Sequence, residues 1–232
     1  MFHFKGFSVD DAQCAMKVGT DGVLLGAWAD IDGAEHILDI GTGSGLIALM
    51  MAQRNSVATI EAIDIDEEAV QQARANVEAS PWANRIAVSL SDAKVFTTGI
   101  KFDRVVTNPP FFNTALESPD ERRALARHAS SFGYADIVAT AERLLKRGGR
   151  LSLILPSDEA SHFRREAFNH LWLSRETSIL PCEGERAKRT MMEFVLCDEP
   201  LMPRVDTISI RNTAGEYSDD YRRLTGDYYL KF

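Results

Sequence analysis

The side chains able to do chemistry in this 232-residue chain collect immediately after short apolar runs. The segment Leu38-Asp39-Ile40-Gly41-Thr42-Gly43-Ser44-Gly45-Leu46 links one such run to a helix-period stretch. Three glycines there let the backbone turn sharply and approach a ligand closely. Taken alone, the pattern is equally consistent with a tight turn that binds nothing. The full GxGxxG dinucleotide pattern is missing, however, and Asp39 enters the turn. A carboxylate there suits a cationic amino-acid ammonium better than a pyrophosphate, which tilts the ligand from NAD towards S-adenosylmethionine. About 20 residues further on, Ile63-Asp64-Ile65-Asp66 ends another apolar run. A carboxylate at the end of a second strand can accept both ribose hydroxyls. Asp64 is the better candidate because Asp66 reads as a helix N-cap; the alternative for Asp64 is a solvated loop carboxylate. Ser91-Asp92-Ala93 ends a third run and offers Asp92 to an adenine amino group. Three acids at three consecutive strand ends make one consistent cofactor pocket.

The elements that must position these groups follow from periodicity. Strands are expected at His36–Ile40, Thr59–Asp64, Arg85–Leu90, Phe102–Thr107 and Leu151–Leu155, the last ended by Pro156. Leu46–Arg54 is a helix behind the glycine turn. Ala69, Val70, Ala73 and Val77 form one face of the next helix, which Asp66 caps and Ser80-Pro81 stops. Ile137, Val138, Ala141, Leu144 and Leu145 predict a further helix closed by Gly148-Gly149 at its C-cap. A helix-like segment over 158–171 follows. Leu173–Leu180 and Met191–Leu196 suit an antiparallel pair. A short strand at Thr207–Arg211 and a helix at Ser218–Tyr229 finish the chain. Alternating strands and helices imply a parallel sheet.

This layout resembles the Rossmann-like class I methyltransferases. The resemblance implies an α/β fold with a mostly parallel seven-stranded sheet, one antiparallel strand and helices on both faces. The Phe102–Thr107 strand runs into Asn108-Pro109-Pro110-Phe111, which is similar to the (D/N)PP(Y/F) motif of methyltransferases acting on adenine N6, cytosine N4 or glutamine nitrogen. The chemistry needs such residues. The target nitrogen is planar and its lone pair delocalised, so it is a poor nucleophile. The Asn108 side-chain oxygen and the Pro109 carbonyl can accept its two N–H groups and draw it towards pyramidal geometry. Pro109 and Pro110 fix φ and hold the acceptors rigidly, so catalysis is positioning and preorganised polarity, without a strong general base or a metal. Phe111 would stack on a target base; Phe112 either helps or packs in the core. As motif members, Asn108 to Phe111 are the expected catalytic residues, and Asn108 also borders the cofactor.

The motif alone does not separate RNA adenine, DNA adenine, cytosine and glutamine. DNA enzymes of this type carry a target-recognition domain, for which no room is expected. Release-factor glutamine methyltransferases carry an N-terminal helical domain, whereas only about 37 residues precede the glycine turn. Those residues, Phe4-Lys5-Gly6-Phe7 and Cys14-Ala-Met-Lys17-Val-Gly19-Thr20-Asp21-Gly22-Val-Leu-Leu-Gly26-Ala-Trp28, resemble the opening of the bacterial tRNA1(Val) (adenine(37)-N6)-methyltransferase family. The similarity continues through Asn76, Ser80-Pro81-Trp82, Asn108 to Phe112, Ala126-Arg127-His128 and Tyr228 to Phe232. It implies methyl transfer to the adenosine 3′ of the anticodon, a tRNA partner, and a cofactor pocket lined by Lys17 to Asp21, with Lys17 and Thr20 as contacts. The alternative for 17–21 is a strand and turn covering the sheet edge.

The net charge of −8 counts against a nucleic-acid partner. RNA contacts must therefore come from local clusters, for which the candidates are Arg122, Arg123, Arg127 and His128, and Arg186, Lys188 and Arg189; either cluster could equally be solvated surface. Cys14, Cys182 and Cys197 are scattered, with no CxxC, which disfavours a disulfide framework or zinc site and suits a cytoplasmic setting. No apolar run approaches the roughly 20 residues that span a bilayer. One catalytic domain over 1–232 is expected, with an N-terminal cap at 1–35, a core at 36–200 and a C-terminal strand and helix at 201–232. No membrane and no obligate protein partner are expected.

Overall fold

The computed structural model describes residues 1–14, 16–109 and 132–232. Two short strands, β1 (Phe2–His3) and β2 (Ser8–Val9), pair antiparallel and lead into α1 (Thr20–Trp28). The core then alternates: β3 (His36–Ile40), α2 (Leu46–Arg54), β4 (Thr59–Asp64), α3 (Glu67–Glu78), β5 (Ile86–Leu90) and β6 (Phe102–Thr107). After residue 131 come α4 (Tyr134–Leu144), β7 (Leu145–Pro156), α5 (Ala160–Ala167), β8 (Trp172–Cys182), β9 (Arg189–Val195), β10 (Arg204–Arg211) and α6 (Asp219–Thr225).

The main sheet runs β10-β8-β9-β7-β6-β3-β4-β5. It is the expected α/β class I methyltransferase sheet, with β9 antiparallel to both its neighbours and every other pairing parallel. It holds eight strands rather than seven. The extra one is β10, which is longer than the short strand expected at Thr207–Arg211 and extends the sheet alongside β8. Side chains alternate between the two faces as strand geometry requires. Leu151, Leu153 and Leu155 of β7 pack with α4 and α5, while Ile154 joins the core beneath α1 and α2.

Three helix expectations shift. The α4 helix stops at Leu144 because Leu145 is already extended (ψ 149°) and pairs with Phe102. Gly148-Gly149 is therefore not its C-cap. The pair forms a tight excursion inside β7, with Gly148 at φ +78° and a Cβ on Gly149 meeting the Lys146 carbonyl at 2.8 Å. The helices expected over 158–171 and Ser218–Tyr229 are shorter, and Ser218 is the N-cap of α6, its hydroxyl accepting from the Tyr221 N–H at 3.1 Å.

The N- and C-terminal segments lie against each other. Phe4 and Tyr229 form an antiparallel bridge, the Lys5 N–H donates to the Tyr228 carbonyl at 2.8 Å, and Lys5 Nζ donates to the Gly226 carbonyl at 2.6 Å. Tyr228 is buried and its hydroxyl reaches the Met50 carbonyl on α2 at 3.2 Å.

Candidate active site

Strand order fixes where a ligand can sit. From β3 the chain steps outward through β4 to β5, then returns to lay β6 on the other flank of β3. Such a reversal opens a crevice beyond the carboxyl ends of the two strands. The carboxyl end of β3 is the glycine turn, and that of β6 is Asn108. Register pairs Ile40 directly with Thr107, so the turn and Asn108 leave the sheet side by side.

Gly41, Gly43 and Gly45 all adopt positive φ, at +70°, +56° and +80°. L side chains disfavour that region. Nothing lies within 4 Å of where a Cβ on Gly41 or Gly43 would be, so the backbone faces open space. Gly45 is the N-cap of α2. The turn is braced from β4: the Gly41 and Thr42 N–H groups donate to the Ile63 carbonyl at 2.9 and 3.0 Å, and the Gly43 N–H donates to Asp64 Oδ2 at 2.8 Å. Asp64 Oδ1 accepts from the Asp66 N–H at 3.0 Å, and Asp66 caps α3 as expected, accepting from the Glu68 N–H at 2.9 Å.

Asp39 is wholly buried. Its Oδ2 accepts from the Thr42 hydroxyl at 2.7 Å, and Oδ1 has no hydrogen-bond partner among the described residues. Burial raises its pKa from 3.8 to about 7, the nearby Asp64 charge reinforcing that shift and the Thr42 hydroxyl and the Ala48 backbone N–H opposing it. A buried carboxylate oxygen without a donor is costly and fits a site completed by a cationic group. Asn108 shows the same feature: its Oδ1 is buried and has no hydrogen-bond partner among the described residues, and Pro109 beside it is buried. Two orphan acceptors thus flank one crevice. At the third strand end, Asp92 Oδ1 accepts from the Lys94 N–H at 2.9 Å, forming a turn that carries its carboxylate on the same edge.

Lys17, expected as a cofactor contact, has its side chain engaged within its own loop. Its Nζ donates to the Asp11 and Ala12 carbonyls at 2.6 and 3.0 Å, closing the loop that precedes α1. That loop is pinned across α3. Asn76 Nδ2 donates to the carbonyls of Asp10 and Ser44 at 2.7 and 2.8 Å, and its Oδ1 accepts from the Asp10 N–H at 2.9 Å. Cys14 of the loop is buried and its thiol is pushed up to about 11, by burial first and by the Asp64 charge second. The loop therefore roofs the Asp64 end of the crevice. Thr20 opens α1, and Asp21 after it holds Arg189 Nε at 2.7 Å, so 20–21 is helical rather than a strand and turn. Arg186 and Lys188 are exposed at the carboxyl edge between β8 and β9, whereas Arg189 is tied to α1. Pro110, Phe111, Phe112, Arg122, Arg123, Arg127 and His128 lie outside the described residues.

Two residues that position the site carried no role in the sequence reading. Asn76 had a signal: it is a polar residue beside Ala73 and Val77 on a buried helix face. Thr107 is also buried, and its hydroxyl donates to the Ile40 carbonyl at 2.9 Å. It had none, because threonine is an ordinary strand residue.

Comparison with known proteins places the chain in a family and a fold. Residues 18–177 match the family model described as methyltransferase small domain. The chain is 46% identical over 230 residues to a tRNA1(Val) (adenine(37)-N6)-methyltransferase of Phocaeicola vulgatus, covering 99% of this chain and 97% of that one. It is 39% identical over 234 residues to the protein of that name in Pasteurella multocida, covering 100% and 97%. Among solved structures, the predicted O-methyltransferase Atu636 of Agrobacterium tumefaciens superposes with a TM-score of 0.69, covering 90% of this chain and 96% of that one. At 21% identity that likeness speaks to the fold alone.

Proposed function

The chain belongs to the bacterial tRNA1(Val) (adenine(37)-N6)-methyltransferase family, and we infer that it transfers a methyl group from S-adenosylmethionine to N6 of adenine 37 in tRNA1(Val). The observation that carries the chemistry is the buried, unpartnered Asn108 Oδ1 at the carboxyl end of β6, next to the glycine turn of β3.

The crevice fits the cofactor. Asp39 Oδ1 lacks a donor, and Gly41 and Gly43 expose bare backbone, so the ammonium group and the methionine backbone find partners there. Asp64 would take the ribose hydroxyls and Asp92 the adenine amino group. Bound S-adenosylmethionine would supply a methyl group made electrophilic by its sulfonium, the S–CH3 bond breaking to leave S-adenosylhomocysteine while the methylated nitrogen gives up one proton to solvent. The chain's own task is to make the exocyclic nitrogen a nucleophile. Asn108 Oδ1 accepts one N–H and the Pro109 carbonyl the other, which weakens conjugation with the ring and turns the lone pair towards the methyl group. Because Pro109 is locked and buried, the acceptors need little reorganisation during transfer. Phe111 stacks on the extruded base. Arg186 and Lys188, exposed on the same edge, suit phosphate contacts. No described helix is long and apolar enough to cross a membrane, and a cytoplasmic setting with tRNA as partner follows from this reading.

Labelled S-adenosylmethionine offered with total tRNA or with protein extract tests the substrate. Label is expected in tRNA, as N6-methyladenosine 3′ of the anticodon; label only in protein would make the enzyme a glutamine methyltransferase. Asn108→Ala is expected to abolish transfer and to leave cofactor binding within about threefold. Undiminished turnover would remove Asn108 from the mechanism.

A further inference from the structure

The start of α1 borders a further cavity of about 540 Å³. One wall is Val18, Gly19 and Thr20 at the start of α1; the other comes from the end of β10 and the C-terminal segment. Tyr217, Tyr221 and Tyr229 form its aromatic floor, with Tyr217 stacked on Tyr221 at 5.3 Å. Phe2 and Phe232 also line it and keep 37% and 38% of their surface in solvent, enough to meet a ligand with a ring face or edge. Its two charged lining residues, Arg211 and Lys231, are both cationic and exposed. In a chain of 34 acids against 26 lysines and arginines, the lining carries no Asp or Glu side chain.

The cavity faces the same way as the active site. β8 and β10 run parallel to β7 and β6, so Arg211 ends its strand on the edge where Asn108 ends β6. The other wall is fixed to that edge too, since Asp21 of α1 holds Arg189, which lies opposite Pro156 at the end of β7. Four strand spacings separate β6 from β10, about 19 Å along the edge at roughly 4.8 Å each. One folded RNA can bridge that separation, whereas a single nucleoside cannot.

Aromatic rings with cationic side chains are the composition that binds a nucleotide, with rings on the base and cations on the phosphate. We propose that this cavity is a second RNA subsite, which takes one nucleotide of the substrate tRNA at a distance from the target adenosine. The proposal rests on the tRNA reading above. It explains how an acidic protein holds RNA: a local, stacking-based foothold substitutes for a broad basic surface.

Fluorescence anisotropy of an unmodified, labelled tRNA1(Val) transcript, together with steady-state methylation of the same transcript, tests this in the full chain. Phe2→Ala combined with Phe232→Ala is expected to raise the tRNA Kd and KM about tenfold while leaving S-adenosylmethionine affinity unchanged. Lys231→Glu, a solvent-facing change that leaves the aromatic core intact, is expected to raise them about fivefold, less so in high salt. If the aromatic double variant fails to fold, Lys231→Glu decides. Unchanged tRNA affinity in the folded variants, with the parent methylating tRNA, overturns the subsite alone. A parent that leaves tRNA unlabelled overturns the tRNA reading and the subsite with it.

Discussion

Thr107 donates its hydroxyl to the carbonyl of Ile40 at 2.9 Å, tying the last residue of β6 to the last residue of β3. The next residues on either strand are Asn108 and Gly41, and there the two chains diverge. This bond therefore ties the two strands directly before Asn108 and the glycine turn, and under the proposed mechanism it sets the gap between the nitrogen's acceptor and the turn at the methyl donor. Misplacement of about 1 Å costs on the order of a hundredfold in rate, so a part of that is expected when the tie is cut. Thr107→Val, which keeps the shape, should lower kcat about tenfold and leave cofactor affinity within twofold, and Thr107→Ser should restore kcat. Equal kcat in the valine variant, or loss of cofactor binding in step with kcat, would give Thr107 a merely structural part.

The buried Asp39 predicts a pH effect of definite sign. Its pKa is held near 7 by burial against an ordinary value of 3.8. Below about pH 4 the carboxyl is protonated folded and unfolded alike. Between 4 and 7 the unfolded chain releases the proton and the folded, cofactor-free chain keeps it, so this group's contribution to stability declines as pH rises through that window. Under the proposed function, pairing with the cofactor ammonium returns the group to its carboxylate. Binding should therefore release a proton near pH 6, and affinity should climb to a plateau above about 7. Calorimetry in two buffers of different ionisation heat measures the proton; Asp39→Asn should remove both its release and the pH slope.

Asn76 joins three parts of the protein: α3, the Ser44 carbonyl in the glycine turn and both backbone groups of Asp10 in the roofing loop. Asn76→Ala leaves buried backbone groups unsatisfied, at about 1–3 kcal/mol. A lower melting temperature, a five- to tenfold weaker cofactor affinity and faster proteolysis within residues 8–18 are the expected results. Proteolysis at the parental rate would show that the loop is held elsewhere.

Gly26 packs against fully buried Met50, and a Cβ there would sit 2.8 Å from Met50 Sδ and 3.1 Å from its Cβ. Alanine gains about 1 kcal/mol of helix propensity, but overpacking costs about 1–3 kcal/mol. Gly26→Ala should be destabilising by about 1 kcal/mol, and in a Met50→Ala background the same change should become stabilising. Chemical denaturation of the four proteins of the cycle measures the coupling.

Legibility in the sequence followed how local the physics was. β3, α2, β4 and β6 have the bounds expected, because a glycine turn, a capping Asp66 and an Asn-Pro-Pro break each announce an end within a few residues. The α1 helix was missed because Gly22, Val23, Leu24, Leu25, Gly26, Ala27 and Trp28 are all buried, leaving no polar face to mark a helical period. Gly148-Gly149 misled because a glycine pair serves a helix end and a strand excursion equally; Leu145 pairing with Phe102, over forty residues away, decided between them. In the site, the sequence placed Asp39, Asp64, Asp92 and Asn108 at or beside strand ends, and the fold brings those ends to one edge of the sheet. The engagement of Lys17 with its own loop and of Arg189 with Asp21 was not legible, since both depend on contacts set by the finished fold.

The seam between Phe4–Lys5 and Gly226–Tyr229 has a mechanical consequence. Tension applied across the two ends would load these few bonds one after another, like a zip, while the eight-stranded sheet behind them stays out of the line of force. The seam would part first, and Phe2 and Phe232, which flank it, would be drawn away from each other before any strand of the eight-stranded sheet moved. Conversely, a short peptide joining the ends would bridge a gap that is already nearly closed, so a ring-closed chain reopened at an exposed loop should fold to the same molecule.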